Sequence, residues 1–285
     1  MNTASLKDAA LRAVPSALHP QVRRVLGRSQ PWDPGARLPP PACPPGMRVG
    51  PPDFVGVGAQ KAGTSWWFNL LLRHPGAYHP GDVHKERHYF ARFWSEPFGP
   101  EDTPTYHRWF PRPEGRLTGE WTPVYMVQFW VPPLLREAAP DAKILVLLRD
   151  PVERYRSGLT HAADRAQRDD PRIATDAMLR GLYGAQLAWL RRTFGADRML
   201  VQQYERCRAQ PASELARTYR FVGLDDGFVP ETFTEQVNPT RGVKVPLDDR
   251  RRAELVEVYR DDVAALARDE PGIDLALWPN FAHLG

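Results

Sequence analysis

The chain has 285 residues, of which 42% are hydrophobic and 25% are charged, and this composition fits one large α/β domain or two small ones. The formal net charge of +4 suits an anionic ligand but is too small to indicate nucleic-acid binding by itself. Cys43 and Cys207 form no CxxC pair, so neither a zinc site nor a disulfide framework is expected. The sequence shows no hydrophobic region typical of a signal peptide and no apolar run of about 18 residues, which predicts a cytoplasmic protein without stable membrane insertion.

Two segments precede the first strong strand pattern. Residues 5–28 have the pattern of a basic amphipathic helix, and a helix packed on the domain or a frayed tail is favoured over membrane-surface binding. Residues 31–52 contain nine prolines and predict an extended linker or a strap across the surface. We interpret residues 1–52 as an N-terminal extension and residues 53–285 as a single domain.

The motif that organises the chain begins at Phe54. A short apolar run predicts a β-strand, a glycine-containing turn follows, and apolar residues then recur at helical spacing. A strand, a glycine turn and a helix N-terminus form an anion site, because the first N–H groups of a helix have no partner within it. The predicted ligand-binding residues are Gly58, Gln60, Lys61, Ala62, Gly63, Thr64, Ser65 and Trp66.

The order of residues in this loop differs from that of a Walker A motif, in which the lysine directly precedes the hydroxyl residue. Here Lys61 precedes Gly63 by two residues, and the hydroxyls of Thr64 and Ser65 follow the glycine. This order weakens the case for a Mg²⁺ ion that bridges two phosphates, and carboxylates suited to Mg²⁺ are missing near the loop. We therefore expect no metal. The alternative for the loop is an ordinary strand–helix turn with a solvated lysine.

Residues 84–90 carry a possible acid/base constellation. Glu86 lies between two cationic residues and two positions before His88. The alternative is a solvated charged segment that leads into an apolar Tyr89-Phe90 anchor. Residues 91–117 are rich in aromatic residues and proline, and they fit the lining of an acceptor pocket or a cover for the core equally well.

A second candidate anion site follows the apolar run at 143–148, which predicts a buried strand. Ligands bind beyond the carboxyl ends of the strands in an open parallel sheet, so Arg149 and the first loop are expected at the same edge. On the next helix, Arg154 and Ser157 fall three residues apart on one face. Arg149 and Ser157 predict a second phosphate clamp, with structural ion pairing of Arg149 and Asp150 as the alternative.

Helices and strands continue to alternate toward the C-terminus. Apolar spacing indicates helices that end near residue 195, span 211–222 and begin after residue 248, and it predicts a strand at 199–204. Residues 161–176 are polar and charged and are expected to form a mobile loop near the site.

The two anion motifs, about 90 residues apart, resemble those of the sulfotransferases that use 3′-phosphoadenosine 5′-phosphosulfate (PAPS), and the resemblance extends from about residue 54 to residue 281. It implies an α/β, P-loop-like, three-layer fold with a central, mainly parallel sheet flanked by helices. It also implies that the first loop holds the 5′-phosphosulfate of PAPS. Arg149 and Ser157 would hold the 3′-phosphate, and Arg241 and Gly242 would reach the 3′-phosphoadenosine.

Within that family, the pattern is nearest to the heparan sulfate and related carbohydrate sulfotransferases. Residues 85–90 resemble their K-E-x-H-F-F segment, which implies Glu86 as general base with His88 beside it. Residues 120–125 resemble their E-K-[ST]-P-x-Y segment, except that Trp121 replaces the lysine that helps to position an anionic sugar. This departure suggests an acceptor that is less charged or more aromatic than heparan sulfate.

The mechanism that we predict from these residues is in-line sulfuryl transfer from PAPS to a hydroxyl of a small-molecule acceptor, with 3′-phosphoadenosine 5′-phosphate (PAP) as product. Lys61 would stabilise charge on the leaving phosphate oxygen. Glu86 would take the acceptor proton, best with a pKa raised by burial, although Lys85 and His88 act in the opposite direction. A P-loop kinase that uses ATP and a non-catalytic nucleotide-binding protein are the alternatives. The acceptor can be a sugar, a glycolipid, a lipid alcohol or an aromatic natural product, and the sequence indicates no oligomeric state.

Overall fold

Short apolar runs between turn residues form one parallel sheet. The computed structural model describes residues 14, 18–25, 30, 33, 38–81, 84–163, 170–234 and 244–285. Within them lie strands β1 (Phe54–Gly58), β2 (Gly119–Trp121), β3 (Lys143–Leu148) and β4 (Met199–Gln203). Their order across the sheet is β2-β1-β3-β4, and all three neighbouring pairs are parallel.

The sheet is buried on both faces, as the continuous apolar runs of β1 and β3 predict. Strand β2 has only three residues. It pairs with β1 in the register Phe54↔Gly119, and a Cβ at Gly119 would lie 2.2 Å from the Phe54 carbonyl oxygen, so only glycine fits there. The predicted strand at 199–204 is one residue too long, because Tyr204 begins the next helix.

Helices connect the strands and flank the sheet. In chain order they are α1 (His19–Val25), α2 (Thr64–Leu71), α3 (Asp102–His107), α4 (Val131–Ala138), α5 (Pro151–Ala163), α6 (Pro171–Leu179), α7 (Tyr183–Phe194), α8 (Tyr204–Ala209), α9 (Pro211–Val222) and α10 (Asp249–Asp269). Short 3₁₀ helices span Tyr89–Trp94, Ala196–Arg198, Leu275–Leu277 and Ala282–Leu284. No helix of the described residues is both long and apolar enough to cross a membrane.

Alternate strand residues enter two separate cores, one on each face of the sheet. Ile144, Val146 and Leu148 of β3 join a core with α4, α7 and α10, whereas Leu145 and Leu147 join a core with α2 and α9. The layers are therefore helix, sheet and helix, which confirms the predicted α/β, P-loop-like architecture.

Two loop predictions meet the structure in different ways. Most large aromatic residues of 91–117, including Tyr106 and Phe110, are buried in the first core, so they cover the core, whereas Trp94 is exposed. The mobile-loop prediction for 161–176 is wrong where it can be compared, because α5 extends to Ala163 and the Asp170 side chain caps α6. The remaining residues of that stretch, 164–169, lie outside the described residues.

Candidate active site

The first anion loop leaves the carboxyl end of β1 and enters α2. The Ala59 N–H donates to the Leu147 carbonyl at 2.8 Å, so the start of the loop is fastened to β3. Gly63 precedes the first helical residue with φ = +87°, and a Cβ there would lie 2.6 Å from the Tyr204 ring. Glycine is therefore required at residue 63 by its backbone conformation and by its neighbour.

Two of the proposed catalytic residues have an uncommon backbone conformation. Among the described residues, Lys61 (φ = +71°) and His88 (φ = +50°) are the non-glycine residues at positive φ. A left-handed conformation costs a non-glycine residue free energy, and such residues cluster at functional sites because the surrounding structure has to hold them in place. The two outliers mark the same residues that the sequence motifs select.

Glu86 is held by cationic or proton-donating neighbours on both carboxylate oxygens. Its Oε1 lies 2.8 Å from Lys85 Nζ, and its Oε2 lies 3.2 Å from His88 Nε2. Burial by itself would raise the pKa of Glu86, but the His88 hydrogen bond and the Lys85 charge outweigh burial and lower the pKa to about 2. The opposing effect of Lys85 and His88, noted from the sequence, is therefore the larger one, and Glu86 does not have the raised pKa that would best suit a general base.

The segment that carries Glu86 is fastened to the end of β2. The Arg87 N–H donates to Thr122 Oγ1 at 2.9 Å and to Glu120 Oε2 at 3.2 Å, and Tyr106 donates to Glu120 Oε1 at 2.6 Å. Burial raises the pKa of Glu120, although hydrogen bonds from Thr122 and Tyr106 oppose this shift. The motif at 120–125 does not by itself reveal that Glu120 and Thr122 support residues 85–88 through these hydrogen bonds.

Trp121 does not face an acceptor. Its side chain is fully buried, its ring packs against Gly56, and its Nε1–H donates to the Gly58 carbonyl at 3.1 Å. The ring cannot supply the aromatic acceptor contact that its place in the motif suggested. The Trp121 side chain instead contacts the first anion loop through the Gly58 carbonyl, and the Trp121 backbone contacts Lys85.

Arg149 lies at the same sheet edge as the first loop, as predicted. Its Nη1 donates to the Lys61 carbonyl at 3.3 Å, and its guanidinium lies 5.1 Å from the centre of the Tyr204 ring. Among the residues that the structure describes, Arg149 and Asp150 form no ion pair. The Asp150 carboxylate accepts backbone N–H groups from Val152 and Glu153, and its second oxygen accepts from Asn280. Asp150 thus holds the start of α5.

Ser157 lies half-buried on α5, whereas Arg154, three residues before it, is fully buried and donates to the Ala177 carbonyl. Next to Ser157, Arg156 donates to the Val245 carbonyl at 3.1 Å, and Val245 N–H donates to Thr160 at 3.0 Å. These contacts hold residue 245 against α5.

The last two predicted nucleotide ligands, Arg241 and Gly242, fall in the sequence between residues 233 and 245. Trp66 Nε1 donates to the Phe233 carbonyl at 2.8 Å, which places residue 233 beside the first loop, whereas residue 245 contacts Arg156 and Thr160 of α5. Arg241 and Gly242 lie outside the described residues, and their role stays a prediction. Within the described residues, no group of three or more His, Cys, Asp or Glu side chains could hold a metal ion.

The parallel sheet carries at its carboxyl edge a glycine-containing loop with Lys61 and, next to it, Arg149. This arrangement defines a P-loop-like α/β protein. A family model described as the sulfotransferase family matches residues 86–228. The chain therefore belongs to the sulfotransferase family, a family of transferase enzymes.

Relatives agree with this assignment. Heparan sulfate glucosamine 3-O-sulfotransferase 3A1 of Mus musculus is 30% identical over 190 residues, covering 61% of this chain and 46% of that protein. Heparan sulfate glucosamine 3-O-sulfotransferase 6 of Homo sapiens is 31% identical over 205 residues, covering 67% of this chain and 57% of that protein. The chain thus spans about half the length of these curated relatives.

A solved structure is similar as well. The sulfotransferase from Alicyclobacillus acidocaldarius superposes with a TM-score of 0.60 at 26% identity and covers 81% of this chain and 99% of its own. The resemblance to PAPS-dependent sulfotransferases near the heparan sulfate enzymes, and the fold that it implies, are confirmed.

Proposed function

We propose that the protein transfers the sulfuryl group of PAPS to a hydroxyl of a carbohydrate or related natural-product acceptor. The observation that carries the proposal is that Trp121 holds both the Lys61 loop, through Gly58, and the Glu86 segment, through Lys85. A donor anion site and a carboxylate base are thus held by one residue. Relatives named as heparan sulfate glucosamine sulfotransferases support the carbohydrate acceptor.

The proposed reaction is a single in-line displacement. The acceptor oxygen bonds to sulfur as the bond between sulfur and the phosphate oxygen of PAPS breaks, the hydroxyl proton passes to Glu86, and PAP leaves. The carboxylate form of Glu86 accepts the proton, and His88 keeps the second oxygen oriented. Lys61 and the start of α2 stabilise the charge that develops on the leaving and sulfuryl oxygens. A metal has no part in this proposal, and the cytoplasmic location stays a prediction from the sequence.

The donor can be tested without knowledge of the acceptor. Calorimetry should show tight binding of PAP that does not depend on Mg²⁺, and weaker binding of ADP and ATP. ATP binding that requires Mg²⁺ would replace this proposal with the kinase alternative. PAP binding without transfer from PAPS to any member of a broad carbohydrate and alcohol panel would favour a non-catalytic nucleotide-binding protein.

Arg149→Ala is expected to remove most of the preference for a 3′-phosphate. A hydrogen bond to a charged group contributes about 1.5–3 kcal/mol, so PAP affinity should fall by roughly 10–150-fold. AMP, which lacks the 3′-phosphate, should bind the variant and the natural protein almost equally. The measurement is calorimetry of PAP and AMP on both proteins, with Arg250→Ala on the exposed start of α10 as control. An equal loss for PAP and AMP would contradict a 3′-phosphate contact.

Lys85→Met is expected to raise the pKa of Glu86 from about 2, because it removes a positive charge 2.8 Å from Oε1. An opposite charge at this distance lowers a carboxyl pKa by about 1–3 units, so its loss should move the midpoint into the range of roughly 3–5. The folded-state pKa lies below the ordinary value of about 4.3, so ionised Glu86 stabilises the fold above that pH, and this contribution is lost as the pH falls toward 2.

The measurement for Lys85→Met is an NMR titration of ¹³C-labelled glutamate carboxyl groups from about pH 1 to pH 7, a range that includes the natural pKa of about 2, with circular dichroism at each pH. Lys143→Met is the control, since Lys143 lies at the amino end of β3 beside Phe221. A Glu86 midpoint that is equal in the natural protein and in Lys85→Met would show that the ammonium does not set the ionisation of Glu86.

A further inference from the structure

Trp121 lies between the two halves of the proposed site. Its indole packs against Gly56 so closely that a Cβ at Gly56 would lie 2.0 Å from the ring. The indole N–H donates to the carbonyl of Gly58, the last residue of β1 and the first predicted donor-loop residue. The ring has no exposed surface, so it acts on the site only through these contacts.

The backbone of Trp121 contacts the segment that carries Glu86. Its N–H donates to the Lys85 carbonyl at 3.0 Å, and its carbonyl accepts from Lys85 Nζ at 3.1 Å. The same ammonium lies 2.8 Å from Glu86 Oε1. Three successive hydrogen bonds therefore connect the Gly58 carbonyl with the Glu86 carboxylate.

This connection is stiff. Trp121 pairs with Gly56 in the sheet, and the Thr122 N–H donates to the Gly56 carbonyl at 2.9 Å, so the residue cannot rotate independently of β1. Lys85 is largely buried, with 15% of its side chain exposed, and water offers it few alternative partners. Buried hydrogen bonds are electrostatically stronger than exposed ones, and a close-packed interior transmits small displacements.

We propose that Trp121 is a positioning residue that couples occupancy of the donor loop to the placement of Glu86. A nucleotide bound to the loop fixes the Gly58 carbonyl, and Trp121 and Lys85 pass this constraint to the carboxylate. The inference rests on the proposed function, since it takes PAP and PAPS as the ligands of the loop. Its consequence is that the base is fully oriented only when the donor is in place.

The coupling can be observed at the lysine side chains. The chain has five lysines, at positions 7, 61, 85, 143 and 244, so ¹³Cε-lysine labelling yields a spectrum that single Lys→Arg variants can assign. In the natural protein, PAP should shift the signals of both Lys61 and Lys85. In Trp121→Phe, which keeps a buried ring but loses the N–H donor, PAP should still shift Lys61, whereas the Lys85 shift should fall several-fold.

Trp67→Phe is the matched control. Trp67 is also fully buried, and its Nε1–H donates to Gln202 and Thr218 in the core behind α2 instead of to the donor loop. It should lose similar thermal stability but keep the Lys85 response to PAP. With PAPS and a working acceptor, Trp121→Phe should lower kcat about 10²-fold, the effect expected of a small misplacement of a reacting group, with a much smaller change in PAP affinity.

These outcomes test the proposed function and the coupling through Trp121 separately. If PAP neither binds nor shifts Lys61, the proposed function fails. If PAP shifts Lys61 but not Lys85 in the natural protein, or shifts Lys85 equally in Trp121→Phe, the coupling is overturned and the proposed donor stands. An equal loss in Trp121→Phe and Trp67→Phe would reduce Trp121 to a stability role.

A second measurement needs no variant and covers the case in which Trp121→Phe does not fold. Indole ¹⁵N labelling reports the nine tryptophans of the natural protein. PAP should shift the Nε1–H signal of Trp121, because its acceptor is the Gly58 carbonyl, and should leave that of Trp67 almost unchanged. A Trp121 signal that does not respond to saturating PAP would contradict the coupling.

Discussion

Glu86→Gln is expected to lower kcat by about 10²–10⁴-fold while PAP binding persists. Glutamine has the size of glutamate but cannot take the proton of the acceptor hydroxyl, and within the described part of the chain the Glu86 carboxylate binds Lys85 and His88 rather than the loop at 58–66. Single-turnover kinetics with PAPS measure the effect, and calorimetry measures PAP affinity. Glu254→Gln is the control, because Glu254 pairs with arginines on the exposed side of α10.

Unchanged turnover in Glu86→Gln would remove Glu86 from the proton transfer. A parallel loss of PAP affinity would instead indicate that the substitution disturbs the donor loop. The pKa of about 2 is compatible with the role of base, because the attacking hydroxyl becomes strongly acidic once its oxygen begins to bond to sulfur. A carboxylate that is already ionised then needs only to be correctly placed when the proton is released.

The sequence predicts the fold and the edge of the sheet that carries the site. Strands β1 and β3 are continuous apolar runs that lie between helices, and this pattern is typical of buried parallel strands. Parallel strands present their carboxyl ends at one edge, so Lys61 and Arg149 were expected to be neighbours although 88 positions separate them, and the structure brings them into contact.

The orientation of side chains could not be predicted in the same way. Successive residues of a strand face opposite sides, so Glu120 and Trp121 cannot both face the acceptor. The motif gives the position of Trp121 but not its face, and only the pairing of β2 with β1 shows that the ring lies under Gly56. Similarly, the ionisation of Glu86 depends on two distances, to Lys85 and to His88, that residue order alone does not determine.

Lys61→Met is expected to lower kcat by about 10²–10³-fold, the usual cost of removing one group that stabilises transition-state charge. Methionine keeps the apolar stem of lysine and loses the ammonium, which the proposed mechanism places near the leaving phosphate oxygen. The backbone of Lys61 should keep its place, since Arg149 holds its carbonyl and Gly63 follows in the left-handed conformation. PAP affinity should therefore fall less than kcat.

Lys143→Met provides the same chemical change at the opposite edge of the sheet and should leave kcat and PAP affinity unaltered. The comparison of kcat with KM for PAPS decides the role of Lys61. Loss of an interaction formed only in the transition state lowers kcat and kcat/KM together. Loss of an interaction formed equally in the ground state raises KM alone. A higher KM at unchanged kcat would therefore assign Lys61 to donor binding and leave the helix N-terminus to stabilise the developing charge.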